Sequence, residues 1–204
     1  MITIIDYKMG NLGSIQNMLK KIGEKSIITN DIATIEKSKK IILPGVGSFD
    51  RAMINLKDLG LISVLNRKIL VEKIPVLGIC LGMQLLADFS EEGNVAGLGY
   101  ISGKIRKFDF SKGSKLKIPH MGWNTVDYKQ HNSLSLGMPE ESRFYFVHSY
   151  HFKCNSKADI LSITNYGYDF VSAVARDNVY GVQFHPEKSH KFGMQLLKNF
   201  VEKI

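Results

Sequence analysis

The 204-residue sequence holds only two cysteines, Cys80 and Cys154. Far apart and unaccompanied, they supply neither a disulfide framework nor zinc-type spacing, a usage that suits a reducing cytosol better than a secreted scaffold. No stretch approaches the ~20 uninterrupted apolar residues of a membrane span, and the opening MITIIDYKMG has neither a basic n-region nor a cleavage site. A soluble, unprocessed, cytoplasmic protein with no membrane association is expected. Basic residues outnumber acidic ones 27 to 19, a formal charge of +8. They come as scattered pairs such as Lys20-Lys21 and Lys39-Lys40, without a basic stripe interleaved with aromatics, so nucleic acid is not an expected partner. The chain also lacks internal repeats and low-complexity linkers. Its 44% hydrophobic content is enough for one well-buried core, and a single domain over 1–204 is expected.

What is present reads as an α/β protein. The run ITIIDY ends in KMGN, after which LGSIQNMLKKIG places Leu12, Ile15, Leu19 and Ile22 at helical spacing before Gly23. SIIT is strand-like, KIILPG is a buried strand stopped by Pro44-Gly45, one long helical stretch runs from about Phe49 to Lys73, and PVLGI is another strand. Apolar strands alternating with helices predict an open, mainly parallel sheet flanked by helices. After Gly93 the texture changes to short pieces, GKIRKFDF, FYFVHSYHF, DILSITNY and FVSAVARDNVYGVQF, separated by turn residues. These predict additional antiparallel strands in the C-terminal half, before a final helix in KFGMQLLKNFVEKI.

Ligands of open parallel sheets bind beyond the carboxyl ends of the strands, and three loops follow apolar strand runs here. In GICLG, a strand ending at Ile79 and a helix beginning near Leu81 force Cys80 into a sharp turn, with Gly78 and Gly82 removing side chains where the segments would collide. This has the form of a nucleophile elbow with Cys in place of Ser. A helix N-terminus favours a thiolate, and the Leu81 N–H would face an incoming carbonyl. On the pentapeptide alone, an inert buried cysteine is the favoured reading. In GVQFHPEKS, His185 ends a strand run and Glu187 stands two residues on, placed to orient an imidazole and stabilise its cation. Metal binding by His185, Glu187 and His190 is disfavoured by the proline and by the missing helical i, i+4 pair. In LPGVGSF, Gly45 and Gly47 allow peptide N–H groups to turn towards an oxyanion, although by itself a plain glycine turn is the preferred reading. No Gly-Lys-Ser/Thr follows, which removes the phosphate-loop reading. Taken together, Cys80, His185 and Glu187 supply nucleophile, base and orienter.

These residues resemble the class I, triad-type glutamine amidotransferases. The match spans essentially the whole chain, and the ordered segments IIDYKMGNL, ILPGVGSF, GICLGMQLL, SEEG, PHMGWN, YFVHSY and GVQFHPEKS look like the branch of glutaminase subunits serving imidazole glycerol phosphate synthesis. The resemblance implies hydrolysis of glutamine to glutamate, with ammonia passed to a separate (βα)8-barrel cyclase subunit in a heterodimer. There it helps form imidazole glycerol phosphate and aminoimidazole carboxamide ribotide in histidine biosynthesis. It implies a Cys80, His185, Glu187 triad and an oxyanion site at Gly45, Val46 and Leu81. Gln84, Glu92, Ser149 and Tyr150 fall where the family holds the substrate glutamine, and Asn11, Met121, Trp123, Tyr145 and Lys188 fall where it meets the barrel. His148 and His151 are assigned no catalytic role. No metal or organic cofactor is implied for this half-reaction.

Two departures stand out: Lys8, where the histidine enzymes commonly carry a small residue, and His151. Related glutaminase subunits serve amidotransferases acting on nucleotide-sugar or nonulosonic-acid precursors with the same triad, and stand-alone thiol gamma-glutamyl hydrolases share the elbow. Both remain alternatives at the level of sequence.

Overall fold

The computed structural model describes residues 1–110 and 115–204. The first half alternates as the sequence predicts: β1 (Ile2–Ile5), α1 (Leu12–Lys21), β2 (Ser26–Thr29), a short α2 (Ile32–Glu36) and β3 (Lys40–Leu43). α3 (Phe49–Asp58) and α4 (Leu61–Asn66), the latter extended by a π-helical turn Arg67–Val71, precede β4 (Val76–Ile79) and α5 (Leu81–Leu85). The single long helix expected from Phe49 to Lys73 is therefore two helices. Gly60 takes φ 67° between them, a left-handed turn that ends one helix and starts the next without disturbing the apolar spacing on either side.

The second half is strand-rich: β5 (Phe89–Ser90), β6 (Val95–Ala96), β7 (Gly103–Lys107), β8 (His120–Thr125), β9 (Asp127–Tyr128), β10 (Arg143–His148) and β11 (Tyr150–Cys154). β12 (Ile160–Asn165), β13 (Asp169–Arg176), β14 (Val179–Val182) and the closing helix α6 (His190–Lys203) follow. The run FYFVHSYHF does not form one strand. It breaks at Ser149 into β10, which pairs antiparallel with β8 in a small second sheet, and β11, which joins the main sheet beside β7.

The main sheet has the order β2-β1-β3-β4-β14-β13-β11-β7-β5-β6, with β12 and β9 branching from β13. The strands from β2 to β14 are parallel, and the β13, β11, β12 and β7 pairings beyond them are antiparallel. β14 is thus parallel to β4 although it lies in the C-terminal half, because the chain returns from the antiparallel region to the centre of the sheet.

Alternate residues of the central strands feed opposite faces, the period-2 consequence of the pleat. Ile5, Ile41, Leu43 and Val76 pack with α2 to α5 through Ile35, Phe49, Leu56, Leu61 and Met83. Ile2, Ile4, Ile42, Leu77, Ile79 and Val182 pack on the other face with Ile15 and Leu19 of α1 and Leu196, Leu197 and Phe200 of α6. Each such aliphatic or aromatic side chain contributes roughly 1.5–3 kcal/mol by leaving water, so both faces anchor the strand ends. Among the described residues no helix is long and apolar enough to cross a membrane.

Candidate active site

β3, β4 and β14 are adjacent and parallel, so the loops after Leu43, Ile79 and Val182 emerge at one edge. Cys80 sits in the middle loop at φ 54°, ψ −109°. A non-glycine residue there is strained by about 1–3 kcal/mol, and the packing around it shows what holds it. The Cys80 N–H is tied to the Val182 carbonyl at 2.8 Å. A Cβ on Gly82 would lie 1.7 Å from the Leu43 carbonyl oxygen, and one on Gly78 would lie 2.6 Å from the Gly82 carbonyl oxygen. Only glycines let α5 descend this closely onto β3 and β4, and that descent bends the chain at Cys80.

The loop after β14 passes from one sheet to the other. The Gln183 N–H still bonds Ser172 O, whereas the His185 N–H bonds Tyr145 O of β10, both at 2.9 Å. The Ser189 hydroxyl donates to His185 O at 2.6 Å and accepts from the Tyr145 N–H at 3.0 Å, fixing the turn. His185 Nδ1 donates to Glu187 Oε1 at 2.8 Å, and both side chains are almost wholly buried. That bond leaves Nε2 as the ring nitrogen not engaged by Glu187; it is buried and has no hydrogen-bond partner among the described residues. Burial opposes the imidazolium, but the nearby Cys80 sulfur and the Glu187 carboxylate bonded to Nδ1 outweigh it and raise the His185 titration to about 10.

Cys80 opens into a cavity of about 280 Å³ lined by Val46, Gly47, Leu81, Gln84, Glu92, Pro119, Val147, His148, Ser149 and Tyr150. Eight of the residues given a site role in the sequence therefore meet in one cavity: Val46, Gly47, Cys80, Leu81, Gln84, Glu92, Ser149 and Tyr150. Sequence reasoning missed Val147, His148 and Pro119 as lining; the alternation of the FYFVHSY run gives no sign of which side chains meet a cavity. Gln84 is buried and does not face solvent; its Nε2 donates to Tyr150 O and Gln183 Oε1, each at 3.0 Å. Glu92 accepts from the Phe49 N–H at 3.0 Å and so also holds the start of α3; burial raises its carboxyl.

The loop 44–47, expected from the sequence to meet an oxyanion, is held by its carbonyls. The buried Tyr7 hydroxyl donates to Pro44 O, and Gly45 O accepts the Leu81 N–H at 3.3 Å. The N–H expected to meet an oxyanion is thus engaged by a carbonyl. The two glycines serve different purposes. Gly47 adopts φ 113°, whereas Gly45 is required by space, since a Cβ there would lie 2.1 Å from the Tyr7 hydroxyl.

Met121, Trp123 and Tyr145 lie together on the outer face of the β8–β10 sheet, with Trp123 directly opposite Tyr145. Met121 is 62% and Trp123 47% exposed, so the indole is not a core residue. Trp123 stacks on His190 at 5.5 Å with 2° between planes, and Lys188 Nζ lies 5.6 Å from the Tyr145 ring. The stacking takes the His190 ring to the outer face, while His185 is paired with Glu187 inside. Asn11 is exposed immediately before α1. Both sequence departures stay away from the cavity lining. Lys8 occupies a left-handed position, φ 65°, supported by its N–H to Asp6 Oδ1, and His151 bonds the Tyr168 hydroxyl at 3.0 Å.

A family model described as glutamine amidotransferase class-I matches residues 3–204. The chain is 60% identical over 202 residues to imidazole glycerol phosphate synthase subunit HisH 2 of Methanococcus maripaludis, covering 99% of each chain. It is 50% identical over 204 residues to the HisH 2 subunit of Pseudomonas aeruginosa, covering both chains fully. Among solved structures, one titled as a crystal structure of glutamine amidotransferase superposes with TM-score 0.75 at 18% identity, covering 98% of this chain and 97% of that one. The structure of PurLQS from Thermotoga maritima gives 0.72 at 15%, covering 99% and 97%. The structures speak for the fold, and the relatives together with the family match place the sequence: this chain belongs to the class-I glutamine amidotransferase family.

Proposed function

We propose that the protein is the glutaminase subunit of an imidazole glycerol phosphate synthase, hydrolysing glutamine and passing ammonia to a (βα)8-barrel cyclase subunit in a cytoplasmic heterodimer. The observation that carries the chemistry is the strained Cys80 elbow in the cavity lining, beside the buried His185–Glu187 pair. The acceptor pathway is supported by full-length relatives at 50–60% identity that carry that synthase's name.

In the reaction, Cys80 gives its proton to His185 Nε2 and the sulfur attacks the glutamine carboxamide carbon. The C–N bond breaks as His185 returns the proton to the leaving nitrogen, releasing ammonia and leaving a glutamyl thioester. His185 then deprotonates a water that attacks the thioester; the C–S bond breaks, glutamate leaves and the thiol is restored. Glu187 holds the imidazole through Nδ1 and stabilises its cation. Both tetrahedral intermediates need donors at their oxygen, and the Leu81 N–H becomes one once the Gly45 carbonyl turns away. Gln84, Glu92, Ser149 and Tyr150 surround the space for the amino-acid end of the substrate.

The test separates the two half-reactions. Cys80→Ser should abolish glutamine-dependent synthesis by the assembled complex while leaving synthesis from added ammonium salt intact. Cys154→Ser, whose thiol is pushed up to about 12 by burial, should be nearly neutral. Glutaminase turnover retained by Cys80→Ser would remove the nucleophile assignment, and stimulation only by a sugar-modifying partner would replace the pathway.

A further inference from the structure

Gln183 lies between β14 and His185, wholly buried, and none of the readings above gives it a role. Its side-chain orientation is determined by its neighbours. Tyr150 O is a backbone carbonyl and only accepts, so the Gln84 amide must present Nε2 to it, at 3.0 Å. The same Nε2 lies 3.0 Å from the Gln183 side chain, which must therefore offer its oxygen. With Oε1 committed to Gln84, the Gln183 amide directs Nε2 at Cys80 Sγ, 3.7 Å away. A fixed carbonyl thus forces an N–H donor onto the sulfur.

A second polar neighbour of Sγ has the opposite preference. Val147 O, 3.9 Å from Sγ, can accept from a thiol but repels an anion. We infer that Gln183 is a catalytic residue whose amide N–H stabilises the anionic sulfur of Cys80. This rests on Cys80 being the nucleophile. The sulfur carries charge twice in the cycle, after its proton passes to His185 and again when the thioester collapses, so the donor serves both half-reactions. Hydrogen bonds to charged partners are stronger than those to neutral ones, so the bond favours the anion over the thiol.

The experiment measures iodoacetamide alkylation of Cys80 in the full chain across pH, by peptide mass spectrometry, with Cys154 as an internal reference. Gln183→Met preserves shape and removes the donor; Gln183→Leu is the second variant should the first unfold, and thermal unfolding confirms the fold of each. The Cys80 rate near pH 7 should fall about tenfold and converge with the parent at alkaline pH, a displacement of about one pH unit. Cys154 should be unaffected, and kcat for glutamine should fall more than KM rises. A Cys80 profile unchanged in the folded variants, or a displacement shared equally by Cys154, overturns the inference. If Cys80→Ser is inactive while the Gln183 variants keep the parent profile, the inference alone fails; turnover retained in Cys80→Ser removes the nucleophile assignment beneath it.

Discussion

His185, His120 and His148 are each at most 6% exposed, yet their titrations move in opposite directions because different groups face them. His185 faces Cys80 and Glu187 and is raised to about 10. His148 donates Nδ1–H to Tyr150 O at 2.7 Å, and its Nε2 accepts from His120 Nδ1 at 3.1 Å. Among the described residues no carboxylate is hydrogen-bonded to either ring, and burial lowers them to about 3 and about 4. Below the ordinary histidine range, about 6.5, the unfolded chain takes up protons that these two folded rings refuse. Stability should therefore fall as pH drops from about 6.5 towards 4, by on the order of 1.4 kcal/mol per pH unit for each ring that stays neutral. The contribution of His185 has the opposite sign: it is fully present below about 6.5 and is lost as pH rises towards 10. Thermal unfolding of the parent and of His148→Gln across this range checks the assignment, and the variant should show the shallower acid slope. A midpoint independent of pH between 7 and 4 would contradict it. The proposed triad divides further in catalysis. His185→Ala removes the proton carrier and should cost about 10²–10⁴ in turnover, whereas Glu187→Gln leaves an imidazole that still accepts a proton and should cost less. The reverse order in single-turnover assays would mean the roles are misassigned.

At the scale of elements, the site depends on how closely α5 approaches the strand ends. Gly82→Ala would bring a methyl to within 1.7 Å of Leu43 O, a backbone atom held within the parallel sheet. The expected result is a loss of about 1–3 kcal/mol by overpacking together with loss of glutaminase activity, because relief of the contact lifts Cys80 out of its bend. Denaturant unfolding and turnover of the variant measure both; a fully active Gly82→Ala would show that the elbow tolerates a wider gap. This element was legible in the sequence, since its glycine spacing is local and its strand and helix abut. The strands beneath it were legible for the same reason, as short apolar runs such as KIIL and VLGI end at turn residues. The break at Gly60 was not, because the apolar spacing of α3 continues into α4 on the same face. Nor was the division at Ser149, where FYFVHSYHF keeps one texture while its halves join different sheets. β8 escaped pattern reasoning because HMGWNT lacks clean alternation and its partner β10 lies about twenty residues further on. The placement of Gln84 inside the network, rather than towards solvent, depends on Tyr150 and Gln183, neither of which is near it in sequence.

At the scale of the molecule, the exposed aromatic face and the loop after β14 are mechanically joined. β10 carries Tyr145 on its outer face and, through the Tyr145 carbonyl and N–H, holds the backbone of His185 and the hydroxyl of Ser189. The half-exposed Val46 belongs to the loop whose Gly45 carbonyl occupies the Leu81 N–H. A partner pressing on Trp123, Met121 and Val46 would thus bear on both sides of the cavity. In the proposed reaction, releasing the Gly45 carbonyl would free the Leu81 N–H as an oxyanion donor, and one such donor is worth about 10²–10³ in turnover. The isolated chain should then bind glutamine but hydrolyse it slowly, with acceleration of at least about 100-fold by the ligand-loaded cyclase, so that ammonia is released only where an acceptor waits. Trp123 should act as the anchor of that contact, being large, aromatic and already fixed by its stack on His190. Trp123→Ala should weaken association by about 2 kcal/mol, roughly 30-fold in Kd, and shift the activation curve to higher cyclase concentration while its plateau approaches that of the parent. Titrating the cyclase into parent and variant while following glutamate release measures affinity and plateau together. A lowered plateau at an unchanged midpoint would place Trp123 in the activation step and not in docking, and equal rates with and without the cyclase would remove the switch.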